Sequence, residues 1–282
     1  MTAPTIRAVS LPNGTNVPAL GMGTWYLGED PDQHDIQLSA LRTGIEIGLT
    51  LIDTAEMYGD GAAEELVGKA VTGRRDDVFL VSKVLPSNAT RRGTVEACRR
   101  SLRRLGTDHL DMYLLHWRGR VPLAETVAAF EELVQDGSIG CWGVSNFDAP
   151  DLDELLALPG GNRGQTDQVL YNLARRGPEY DLVPMCHQLG MPLMAYSPVD
   201  HGSLLEHPAV RDMAGNKGVT PAQLAIAWVL RLPSVFAVAK ASTRAHVMEN
   251  RAALEISFSE AELDQLDRMF PPPFGKVPLE IL

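Results

Sequence analysis

Short runs of uninterrupted apolar residues alternate along the chain with longer stretches whose apolar positions recur every three or four residues. The first kind fits a strand buried on both faces, the second a helix with one buried stripe. Leu11 to Pro18 comes first, with Asn13-Gly14 between short apolar flanks, and predicts a hairpin. Ala19 to Thr24 reads as a strand of small residues. Asp32 to Gly48 reads as a helix, apolar at Ile36, Leu38, Leu41, Ile45 and Ile47.

From there the two patterns repeat. Strands are predicted at Leu49–Asp53, Val78–Lys83, Leu110–His116, Ile139–Ser145, Thr166–Leu170, Pro192–Tyr196 and Val235–Val238. Helices are predicted at Ala62–Val71, Thr90–Leu105, Leu123–Asp136, Pro150–Leu158, Pro178–Leu189 and Thr243–Leu254. Gly106, Gly137 and Gly190 close three of them, and Asp148 is placed to cap a fourth. Thr220-Pro221-Ala222-Gln223 opens another helix with a cap, a first-turn proline and a capping-box glutamine. Ser259 and Glu262 form a second capping box before a last helix, which Pro271-Pro272-Pro273 ends.

Eight strand–helix units predict an α/β fold, a (β/α)8 TIM barrel, with an N-terminal β-hairpin and an extra C-terminal helix. No linker-like stretch divides residues 1–282, which read as a single domain. The rival is an open doubly wound sheet, which brings a GxGxxG turn after its first strand. Gly21-Met22-Gly23 does not continue into that pattern, and Gly59-Asp60-Gly61 lacks the third glycine.

Composition then excludes several classes. The net charge of −11 is the wrong sign for a nucleic-acid binder. The one dense basic run, Arg99-Arg100 to Arg103-Arg104, lies on a helical pattern and reads as a solvated face. No apolar run approaches a membrane span, and Met1 to Ser10 has no signal-peptide core. Three scattered cysteines without a CxxC fit a reducing compartment, the cytoplasm. The seven histidines show no metal-ligand spacing. No exposed apolar heptad or edge strand calls for assembly, so a monomer is expected.

In a barrel the strand C-termini share one mouth, where sites are built. The second barrel strand ends on Asp53, with Tyr58 just after it; the third ends on Lys83 and the fourth on His116. Singly, each is more often a cap, a surface lysine or a satisfied histidine. Together they suggest a device. Lys83 can stabilise a phenolate on Tyr58 and so lower its pKa, Asp53 can compensate the ammonium, and His116 can polarise a carbonyl oxygen. The product is a general acid aimed at a carbonyl.

The chain at this point resembles the aldo-keto reductases. The segments that carry the likeness are Gly21-Met22-Gly23-Thr24-Trp25, Asp53 to Gly59, Val81-Ser82-Lys83-Val84, Leu114-Leu115-His116-Trp117, Gly143-Val144-Ser145-Asn146-Phe147, Gln168-Val169-Leu170-Tyr171-Asn172 and Ala195-Tyr196-Ser197-Pro198. Lys240-Ala241-Ser242 and the short final segment look like bacterial members of the methylglyoxal-reductase kind. The resemblance implies a tetrad of Asp53, Tyr58, Lys83 and His116, with Tyr58 as proton donor to a small-molecule carbonyl. It implies NADP(H) lying across the mouth. Ser145, Asn146 and Gln168 would hold the carboxamide, and Tyr196 would stack on the nicotinamide. Ser197 and the loop to Leu204 would line the pyrophosphate, and Gly23 and Thr24 would approach through their backbone. Lys240 and Arg244 would meet a 2′-phosphate, with Glu249 and Asn250 at the adenine; the arginine usual in the family is His246 here. Trp25 and Trp117 would wall the substrate pocket. Only Pro271 to Leu282 follows the last helix, which suggests an open site for small aldehydes and α-dicarbonyls. Two other readings stay open: a Schiff-base aldolase using Lys83, and a non-catalytic NADP(H)-sensing subunit on the same fold.

Overall fold

The computed structural model describes residues 6–282; Met1 to Thr5, the start of the stretch read as lacking a signal-peptide core, lie outside the described residues. Ala8–Ser10 (β1) and Asn16–Pro18 (β2) pair antiparallel around Asn13-Gly14, which is the expected hairpin. Val9, Leu11 and Val17 are buried with the inward residues of the barrel, so the hairpin plugs its lower end.

Eight parallel strands close the barrel in chain order: Leu20–Gly23 (β3), Leu51–Asp53 (β4), Phe79–Val84 (β5), Leu110–Leu115 (β6), Ile139–Ser145 (β7), Asp167–Leu170 (β8), Leu193–Tyr196 (β9) and Val235–Lys240 (β10), which returns to β3. The first six strands are followed by His34–Glu46 (α1), Ala62–Val71 (α2), Arg91–Leu105 (α3), Leu123–Gln135 (α4), Ala149–Leu156 (α5) and Leu182–Gln188 (α6). Between the last pair of strands come Ser203–Glu206 (α7), Pro208–Lys217 (α8) and Pro221–Leu230 (α9); after β10 come Arg244–Ala252 (α10) and Glu260–Met269 (α11). The outer faces of the strands and the inward stripes of the helices form an apolar shell in which Trp142, Trp228, Phe130 and Phe147 are fully buried.

The local signals act as expected. Asp148, Thr220 and Ser259 each head a capping box, and Gly106 ends α3 in the left-handed conformation. Helix α7, a single turn of 4 residues, falls where the sequence reads a loop, and two further elements differ. The Pro178–Leu189 stretch opens as a 3-10 turn at Gly177–Glu179, and the α-helix is only Leu182–Gln188. Helix α8 is not in the reading of the pattern. Its apolar stripe is a single turn, Val210, Met213 and Ala214, too short to register as a period.

Candidate active site

Register places the polar strand ends at one level. Gly23 pairs with Asp53, Asp53 with Val81, Ser145 with Gln168, Leu170 with Tyr196, and Lys240 with Gly23. Lys83 stands two residues above Val81 on the same face, so it rises just over Asp53. After Asp53 the chain drops into Tyr58 and then reverses through Gly59, Asp60 and Gly61, all at positive φ. A Cβ at Gly61 would lie 2.4 Å from Arg104 Cδ, so only glycine lets the loop turn into α2 there.

Lys83 is completely buried and its ammonium donates to three oxygens: Asp53 Oδ2 at 2.8 Å, the Thr54 carbonyl at 2.9 Å and Tyr58 Oη at 3.2 Å. The other Asp53 oxygen accepts from Gln168 Nε2 at 2.8 Å. The His116 ring meets Tyr58 edge-on, with centroids 5.8 Å apart. His116 Nδ1 is sealed from solvent without a hydrogen bond, leaving Nε2 to face the cavity. The expected tetrad is assembled.

Its electrostatics differ from the expectation in one respect. Burial pushes the Tyr58 phenol above its ordinary 10.0 and outweighs the downward pull of Lys83, while Asp53 pushes it up further. The pair does not lower Tyr58 on balance, so Tyr58 stays protonated. Burial alone would depress Lys83, but Asp53 and Tyr58 beside it carry the balance the other way, so it stays charged. Burial, with the Lys83 charge, drives His116 well below 6.5 and keeps it neutral at pH 7.

Asp53, Tyr58 and His116, with Lys83 buried behind them, form one end of a cavity of about 740 Å³ that runs across the mouth to Lys240, Ser242 and His246. Trp25 and Trp117 flank the tetrad end as expected: Trp25 stacks toward Tyr58 at 6.3 Å and Trp117 tilts against His116 at 4.9 Å. Gly23, Thr24, Ser145, Asn146, Gln168, Tyr196 and Ser197 all line the same cavity. Asn146, at φ 57°, donates to the His116 carbonyl at 3.0 Å and accepts from Tyr196 Oη at 2.9 Å. The Gln168 main-chain carbonyl accepts from Ser145 Oγ at 2.8 Å and from the Asn146 N–H, whereas its side-chain oxygen Oε1 has no hydrogen-bond partner among the described residues. Lys240 makes no ion pair among the described residues and lies 5.5 Å over the Tyr26 ring.

Four expected contacts fall elsewhere. Leu204 is 2% exposed and packs in the core; its neighbour Leu205 faces the cavity, because α7 turns the leucines to opposite sides. Arg244, Glu249 and Asn250 lie off the cavity wall: α10 begins at Arg244 with that residue exposed, and one half-turn on it is His246 that faces the cavity. The site is also less open than expected. Residues 271–282 fold back, and Ile281 and Leu282 join the cavity wall. Tyr26, His201 and Leu205 were also passed over. Tyr26 and His201 sit at positive φ, which a string of letters does not disclose.

The sequence pattern of the aldo/keto reductase family matches residues 19–270. The chain belongs to that family. It is 50% identical over 281 residues to the methylglyoxal reductase YeaE of Escherichia coli (strain K12), covering 98% of this chain and 99% of that one. It is 30% identical to a glyoxal reductase of Bacillus subtilis (strain 168), over 93% of this chain and 92% of that one. A solved aldo/keto reductase of Klebsiella pneumoniae, in complex with NADP and acetate, superposes with a TM-score of 0.96 at 50% identity, covering 99% of this chain and all of that one. The family's closed parallel barrel is thus the frame of this chain too, and the tetrad stands at the end of the barrel where its strand C-termini meet.

Proposed function

We propose that this aldo/keto reductase uses NADPH to reduce small aldehydes and α-dicarbonyls to alcohols, with Tyr58 supplying the proton. One observation carries the reading: a protonated, buried phenol sits 3.2 Å from a fixed ammonium at the end of a cavity large enough for a dinucleotide. The names of the Escherichia coli and Klebsiella pneumoniae relatives support the substrate class and the cofactor.

The residues present fit the cofactor. The Gln168 side-chain oxygen Oε1, without a partner among the described residues, can accept from a carboxamide, with Ser145 and Asn146 beside it, and Tyr196 offers a ring face on the neighbouring strand. Ser197 and the turn after it line the middle of the cleft. Lys240, which makes no ion pair among the described residues, supplies a cation for a 2′-phosphate, with Ser242 and His246 on the same part of the wall.

When bound, NADPH supplies a hydride. The protein's own part is the oxygen of the substrate. His116 Nε2 and Tyr58 Oη both face it; the neutral imidazole donates a hydrogen bond and the phenol transfers its proton. The phenolate that results lies against Lys83, whose charge is already fixed by Asp53. Trp25 and Trp117 exclude water beside it.

Lys83 cannot also be a Schiff-base nucleophile. That role needs a neutral amine, and this one is held charged with all three N–H bonds spent on acceptors. The cytoplasm and a monomer are part of the proposal; the three cysteines, buried and free, suit a reducing compartment. The test is NADPH oxidation on a panel of carbonyls. Turnover of methylglyoxal and small aldehydes over steroid ketones is expected; tight NADPH binding with no turnover would mark a sensing subunit instead.

A further inference from the structure

Residues 271–282 are tied down at successive points although they form neither helix nor strand. Lys276 pairs with Asp181 at 3.3 Å, and Leu279 packs on the core. Glu280 Oε1 accepts from Arg175 Nη1 at 2.5 Å, and the Leu282 N–H donates to Tyr196 Oη at 3.4 Å. Ile281 and Leu282 then face the cavity that holds Tyr58 and His116.

Arg175 has a second partner. Its Nε donates to Asp200 Oδ1 at 3.2 Å. Asp200 lies in the turn after β9, and its carboxylate also accepts from Ser203 Oγ at 2.6 Å and Asn172 Nδ2 at 3.4 Å. Asn172 holds the Ser197 carbonyl at 2.9 Å. One guanidinium therefore joins the segment that walls the substrate end to the turn that lines the cofactor end. Its planar fork serves both carboxylates at once, which an ammonium on a flexible stem would not do as well.

We propose that Arg175 is a positioning residue that clamps Ile281 and Leu282 over the substrate pocket and ties their placement to the Tyr196–Ser203 turn. The clamped pair restricts the pocket to compact carbonyls, and cofactor in the cleft, by holding that turn, also steadies the wall. This rests on the reductase reading above.

The Arg175–Glu280 pair is exposed, so breaking it shifts binding by about twofold to fivefold. In Glu280→Gln the KM for methylglyoxal should rise by that factor, with kcat and the NADPH Kd unchanged. Arg175→Ala should raise both the KM and the NADPH Kd, because it also frees Asp200; Arg175→Lys should recover part of the loss. The double variant Ile281→Ala/Leu282→Ala should raise the activity ratio of a bulky aromatic ketone to methylglyoxal. A readout independent of turnover is amide exchange of residues 277–282 by mass spectrometry. Exchange should slow on adding NADPH to the parent chain and should respond less in Arg175→Ala. The proposal is overturned if the parent reduces methylglyoxal while Glu280→Gln and Arg175→Ala leave KM, Kd and exchange unaltered. A parent that binds NADPH but turns over no carbonyl sinks the reductase reading instead, while the exchange measurement still decides the clamp.

Discussion

Tyr58→Phe separates chemistry from fold because the change removes one atom. The ring of Tyr58 keeps its place between Trp25 and His116, so no cavity opens. Lys83 loses the longest of its three contacts, at 3.2 Å, and keeps Asp53 Oδ2 and the Thr54 carbonyl. The stability cost is that of one hydrogen bond to a buried charge, about 1–3 kcal/mol. The chemical cost is larger. Loss of a positioned general acid removes roughly 10² to 10⁴ in rate, or about 3–5 kcal/mol of barrier. No other donor can fully replace it, since His116 is neutral and already the second donor to the same oxygen. The assay is single-turnover oxidation of bound NADPH by methylglyoxal, with thermal unfolding of the same sample. Binding of NADPH should survive. A variant that retains the parent rate within about a factor of ten, at an unchanged unfolding midpoint, would refute Tyr58 as the acid.

Further outcomes follow from the same geometry. Tyr58 must be protonated to act, and its pKa lies above 10.0 while that of His116 lies well below 6.5, so saturated reduction should stay level from about pH 6 to 9; a break near 6.5 in the rate profile would contradict the neutral imidazole. Lys240→Ala should weaken NADPH by about tenfold or more and leave NADH unchanged in a fluorescence titration; equal weakening of both would remove the 2′-phosphate from Lys240. Gln168→Leu takes the donor from buried Asp53 Oδ1 and should cost about 1–3 kcal/mol in urea unfolding; an unchanged midpoint would remove Gln168 from the support of the tetrad. Asp167 is fully buried, with Oδ2 unpartnered, and burial holds its carboxyl well above 3.8. The folded chain keeps a proton that the unfolded chain releases above about pH 4, so this group's contribution to stability falls as pH rises from there. Asp167→Asn should therefore be more stable than the parent at pH 7, with the gap narrowing toward pH 4 in urea unfolding; a gap that widens on acidification would refute the assignment.

The barrel and the tetrad were legible because both are written in short-range terms. A buried strand needs an apolar run, its end needs a polar residue, and Asp53, Lys83 and His116 occupy three successive ends. The caps at Asp148, Thr220 and Ser259 depend on side chains three residues apart and are readable from the sequence, whereas Thr90, which reads as the first residue of its helix, is its cap. What was misread depends on three dimensions. The direction of the Tyr58 pKa is a contest between one nearby charge and total burial, and only the closed barrel shows that burial wins. Leu204 and Leu205 are adjacent letters; which faces the cleft is set by the turn at His201, whose φ of 53° has no sequence signature. The segment 271–282 reads from the sequence only as a short stretch after the last helix, and its return over the mouth runs through contacts with Asp181 and Arg175, about a hundred residues earlier in the chain.

The hydrogen bonds around the tetrad also indicate which parts of the site can vary. Asp53 is held by Lys83 and Gln168, the His116 carbonyl by Asn146, and Asn146 by Tyr196. These links join β4, β5, β7, β8 and β9, with His116 following β6, and their spacing is fixed by strand register. None runs through the side chains of Trp25, Trp117 or residues 271–282, whose one tie to the set is the Leu282 main-chain N–H on Tyr196 Oη. Side-chain changes in those three segments therefore alter the shape of the pocket without displacing the acid or its cation. Substrate choice should drift with substitutions at Ile281, Leu282 and Trp117 while the rate of proton delivery stays with Tyr58 and Lys83. The register that aligns Asp53 with Val81, and hence Lys83 above it, makes that separation possible: a slip of one residue would turn Lys83 into the helical layer and abolish activity for every substrate alike.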